Sequence, residues 1–69
     1  MEEVNINTES IKLDQFLKWA NIAQTGGEAK HMIKEGIVIV NGELERRRGR
    51  TLLHGDIIEV LDYGKYKIT

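Results

Sequence analysis

Apolar residues recur in two rhythms along this chain, helical in the first half and strand-like in the second. Leu13, Phe16, Leu17 and Ala20 follow the 0, 3, 4, 7 spacing of a buried helical stripe, with Asp14, Gln15 and Lys18 outside it. Thr8 or Ser10 is positioned to cap this first helix, and the alternating Val4-Asn5-Ile6-Asn7-Thr8 before it predicts a short edge strand. A brief connector, Asn21 to Gln24, leads to a second helix. There Thr25 and Glu28 have the capping-box spacing, and Ala29, Met32 and Ile33 share one face. Lys30 and Lys34, four apart, share the neighbouring flank, and Gly36 stands where a left-handed residue ends a helix.

The rhythm then changes. Ile37-Val38-Ile39-Val40 is apolar on both faces, as a central strand would be, and Asn41-Gly42 predicts a type I′ hairpin turn. Arg46-Arg47-Arg48-Gly49-Arg50 breaks the apolar pattern and predicts a loop or edge segment. His54-Gly55-Asp56 predicts a turn, Ile57 to Leu61 a strand, Asp62-Tyr63-Gly64 a further turn, and Lys65 to Thr69 an edge strand. The expected class is α+β: a two-helix hairpin packed on a small, mostly antiparallel β-sheet.

Length and composition narrow the options. Sixty-nine residues imply a single domain, 1–69, with a small core and no cysteine to staple it. The lack of cysteine excludes a disulfide framework and thiolate metal ligands. No apolar run approaches the ~20 residues that a membrane helix needs. The start, Met1-Glu2-Glu3-Val4, is not the basic-then-apolar pattern of a signal peptide, so a soluble, cytoplasmic monomer is expected. Net charge is only −1, yet its layout is uneven: Glu2, Glu3 and Glu9 precede a stretch from Lys12 to Arg50 with eight basic and five acidic residues. Screening within ~8–10 Å lets such a local patch bind phosphate whatever the total charge.

The residues offer little to catalysis. Ser10 is the only serine and stands at an expected cap, and the two histidines, His31 and His54, have no nucleophile beside them. Glu28, His31 and Glu35 form a stripe that a metal site would have to complete with ligands from the first helix, which offers only Asp14. No enzyme activity, metal or cofactor is predicted. Gly26-Gly27 lacks the spacing of either nucleotide fingerprint, but a helix start still presents free N–H groups to a phosphate. Plain capping is the competing explanation there, as a solvated loop is for the four arginines, whose forked side chains also suit bidentate phosphate contact. Trp19 is expected half-buried at the edge of the core, with base stacking the alternative.

Three blocks together resemble a known family: Lys12-Leu13-Asp14-x-x-Leu17, then Ala29-x-x-x-Ile33-x-x-Gly36-x-Val38-x-Val40-Asn41-Gly42, then Gly55-Asp56-Ile57-Ile58-Glu59-Val60. They resemble the RNA-binding domain named after ribosomal small-subunit protein S-four, also called the alpha-L motif. The motif core is residues 11–61, and the whole chain looks like short stand-alone bacterial members. The resemblance implies that the helix hairpin and following β-turn grip structured RNA, ribosomal or transfer RNA, through Lys12, Gln24, Thr25, Gly26, Gly27, Lys30, Lys34 and Asn41. Many members have Ser-Arg where this chain has Thr25-Gly26, and a basic strand residue where Ile39 stands. Backbone N–H groups of Gly26 and Gly27, with Arg46, Arg47, Arg48 and Arg50, are expected to substitute. The expected function is non-catalytic binding of structured RNA, with ribosomal RNA the implied partner in ribosome assembly or function. The competing expectation, motivated by the acidic ends, is a small adaptor docking on a ribosomal protein or assembly factor.

Overall fold

The two helical stripes form two short helices in a computed structural model that describes residues 1–69. Helix α1 spans Leu13–Trp19 and buries Leu13, Phe16 and Leu17, while α2 spans Gly26–Lys34 and buries Ala29, Met32 and Ile33. These faces pack together as the hairpin the spacing predicts. Ile22 and Ala23 in the connector are also buried, and both of their N–H groups bond to the carbonyl of Leu17. That tight connector draws the two helices close.

Seven short strands accompany them: β1 Glu2–Val4, β2 Ser10–Lys12, β3 Val38–Val40, β4 Glu43–Leu44, β5 Thr51–Leu53, β6 Ile57–Val60 and β7 Gly64–Ile68. Five form one sheet in the order β1-β7-β6-β3-β4, antiparallel throughout except for the parallel β1–β7 pair. Val38, Val40, Ile58, Val60, Tyr66 and Ile68 alternate inward and complete a single core with the helix faces. The Asn41-Gly42 turn is of the predicted kind: both residues have positive φ, 50° and 85°, and the hairpin loop has two residues. Gly36, with φ of 81°, leads the chain out of α2 towards β3. No helix is long and apolar enough to cross a membrane.

Three local expectations fail for one reason, pairing between residues distant in sequence. Ser10 does not cap α1; it belongs to β2, which pairs with β5 as a separate two-stranded sheet. The helix therefore starts at Leu13 with Lys12 at the cap position and no side-chain cap. The final strand is not an edge, because β1 lies along its outer side. The edge strand expected at Val4–Thr8 shifts to Glu2–Val4, and Ile6 goes into the core.

Candidate RNA interface

Helix α2 holds several of the expected site residues, and its first turn shows why it begins where it does. The Thr25 hydroxyl accepts from the Glu28 N–H at 3.0 Å, and the Glu28 carboxylate accepts from the Gln24 N–H at 2.9 Å. The capping box is thus real, closed one residue further back than its usual form. It leaves the N–H groups of Gly26 and Gly27 without a partner in the chain. A Cβ at Gly26 would meet nothing within 4 Å and one at Gly27 only the Thr25 hydroxyl at 3.8 Å, and both residues are exposed. Glu28 remains close by, which weakens the attraction for an anion at the helix start itself. Along the helix from there, Lys30 and Lys34 are exposed and neither is ion-paired, whereas His31 and Glu35 on the adjoining flank lie 2.9 Å apart.

The arginine loop is built around a buried acid. Glu45 is only 6% exposed, and its carboxylate accepts from Arg47 Nε and Nη2 at 2.9 Å and from Arg50 Nη1 at 2.7 Å. These hydrogen bonds, Arg47 first and Arg50 next, hold its pKa down at about 2, although burial opposes the charge. The loop's main chain also has a task. Carbonyls of Arg50 and Arg48 accept the N–H groups of Leu13 and Asp14 at 2.8 and 3.1 Å, capping α1 in place of a side chain. Arg46 reaches the opposite way and donates to the Lys34 carbonyl at 3.3 Å, at the C-terminal end of α2. One loop thereby ties the start of α1 to the end of α2, and it brings a cation to that end.

The four arginines are consequently unequal. Arg47 and Arg50 share the single carboxylate of Glu45, which offsets one of their two charges, Arg46 is tethered but unpaired, and Arg48 is exposed with no side-chain partner. Lys12 is exposed and donates to the Thr51 hydroxyl at 3.1 Å.

Comparison with known proteins places this arrangement. A family model described as "S4 domain" matches residues 4–69. The chain belongs to the S4 domain family. The fold and the resemblance expected from the motif blocks are borne out. Over 65 residues the chain is 45% identical to a Bacillus subtilis (strain 168) protein named "Probable ribosome maturation protein RlbA", covering 94% of this chain and 92% of that one. Among solved structures it is similar to the 30S ribosomal protein S4e from Thermoplasma acidophilum, with a TM-score of 0.58 and 22% identity. That match covers 78% of this chain but 29% of the longer S4e chain, and it concerns the fold alone.

Two blocks that mark this S4 domain meet in space. Asn41 donates through Nδ2 to Asp56 Oδ1 at 3.1 Å, and its Oδ1 accepts the Ile57 N–H at 2.9 Å. Asp56 Oδ2 in turn accepts from the Leu53 N–H at 2.8 Å. The amide of Asn41 is therefore engaged within the fold, clamping the β3–β4 turn to the start of β6. Lys30 and Lys34 lie one turn apart on α2 and Arg46 meets the backbone at the helix's C-terminal end, while Gln24 to Gly27 occupy the opposite end. Nothing in the sequence singles out Glu45: a glutamate beside arginines carries no signal that it will be buried beneath them. The Asn41–Asp56 clamp spans fifteen residues, so neither local turn signal reveals it.

Proposed function

We propose that this S4 domain protein is non-catalytic and binds folded RNA, specifically ribosomal RNA during ribosome maturation. The observation that carries the proposal is a row of unpaired cations, Lys30 and Lys34 on an exposed helix flank with Arg46 at the helix's end. Core packing has no use for that row, and mutual repulsion along it favours a polyanionic partner. Arg48 and Lys12 lie beside the α1 start that the same loop caps, so they extend the surface across the hairpin. Gly26 and Gly27 add two main-chain donors at its far end, with Gln24 and Thr25 alongside. Arg47 and Arg50 keep the loop in shape and supply less free charge, and Asn41 supports the turn. Rigid helices presenting spaced cations suit a backbone of fixed shape, which is how proteins read structured RNA. The relative's name supports a ribosomal target, and the work would be done by a cytoplasmic monomer.

The adaptor reading draws on a different surface. The outer sheet face leaves Leu44 and Leu61 exposed, beside half-buried Ile37 and Ile39. Crosslinking the protein in growing cells and sequencing the attached RNA separates the two. Enrichment of defined ribosomal RNA segments is expected; partners that survive nuclease treatment, with no RNA enriched, would favour the adaptor.

A further inference from the structure

Along the seam between α1 and the segment that precedes it, two adjoining clefts share Ile11, Gln15 and Trp19. One, of about 300 Å³, is also lined by Asn7 and Thr8; the other, of about 270 Å³, is flanked by Lys18. Trp19 is 52% exposed although it ends a helix, and its Nε1 donates to the Asn5 carbonyl at 2.7 Å. The indole is thereby fixed in orientation while half its surface stays in water, an unfavourable use of the chain's only tryptophan unless something covers it. The Lys18 ammonium has neither an ion pair nor a hydrogen bond, and no carboxylate lines either cleft. Asn7 and Gln15 offer both donors and acceptors beside the ring, and the Thr8 hydroxyl, which donates to the Ser10 carbonyl at 2.6 Å, can still accept. The seam also continues into the arginine loop, since Ile11 pairs with Leu52 and Lys12 with Thr51, next to Arg50.

We propose that this cleft takes one unpaired nucleotide of the bound RNA, its base stacked on Trp19 and its phosphate held by Lys18. The proposal rests on the RNA-binding reading above. An exposed aromatic with polar edges and a free cation is what an unstacked base requires. An apolar peptide would leave the side-chain amides of Asn7 and Gln15 unpaired. Beyond Thr8, a third depression of about 540 Å³ carries Glu9, which repels a phosphate and leaves Lys18 as the end that accepts it.

Because Trp19 is the sole tryptophan, its emission reports on the cleft directly. The full chain is titrated with deproteinised bacterial ribosomal RNA, following Trp19 emission, its quenching by acrylamide and, separately, retention of RNA on filters. RNA should lower the emission and shield Trp19 from acrylamide. Trp19→Leu should weaken binding about tenfold, whereas Trp19→Phe, which keeps a stacking ring, should stay within about threefold. If RNA is retained but Trp19 remains as accessible as before and Trp19→Leu binds like the parent, the cleft assignment fails and RNA binding stands. If no form retains RNA, both fail together. Shielding by RNA-free ribosomal proteins and not by RNA would overturn the nucleotide in favour of a protein. Emission from the parent protein and affinity of Trp19→Phe decide the matter even if Trp19→Leu misfolds.

Discussion

Glu45 is the residue on which the arginine loop depends. Its carboxylate is buried, doubly bonded to Arg47 and singly to Arg50, and its pKa is held at about 2 against 4.5 when free. A depressed carboxylate stabilises the fold fully above the free value, and the benefit is lost as pH falls through 4.5 towards 2. Urea titrations across that range should therefore show the parent weakening, while Glu45→Gln starts about 2 kcal/mol less stable at neutral pH and weakens less on acidification. Parallel pH profiles for the two proteins would refute the assignment. Asn41 makes a comparable test of the turn. Asn41→Ala removes both clamp bonds and puts alanine at a φ of 50°, so a loss of about 2 kcal/mol is expected in the same assay.

At the scale of elements, Gly36 joins α2 to β3 and also makes room for an arginine. Its φ is 81°, and a Cβ there would lie 3.0 Å from the Arg46 guanidinium. Gly36→Ala should cost about 1–2 kcal/mol in a thermal melt, from left-handed strain together with displacement of Arg46. A melt unchanged by the substitution would show that neither matters. Both helices were legible in the chain from their periods, and β3 with its turn and β6 from short apolar runs bounded by turn residues. Strands β2 and β5 were not, since three residues apiece carry no period and their register joins Ser10 to Leu53 across the chain. Strand β7 was legible as a strand but not as an interior one, because that depends on where Glu2 to Val4 returns. The candidate site divides in the same way. Lys30 and Lys34 follow from helical spacing alone, whereas the burial of Glu45, which sets Arg47 and Arg50 apart from Arg46 and Arg48, arises only when the loop folds over α1.

For the molecule as a whole, one rigid hairpin, tied at its open end by the arginine loop, presents a cationic row on a protein whose net charge is −1. Such a distribution attracts phosphate locally while leaving the rest of the surface indifferent to it, which favours RNA of a particular shape over polyanions in general. The most direct test is the salt dependence of ribosomal RNA binding by the parent and by Lys30→Glu/Lys34→Glu. Both substitutions are on exposed, unpaired positions, so the variant should retain the parent's circular dichroism and melting behaviour. Its affinity should fall by more than about tenfold, and its log K against log salt slope should become shallower by about 1 for each phosphate contact removed. A folded double variant that binds ribosomal RNA with the parent's affinity and salt slope would contradict the lysine row as the RNA interface.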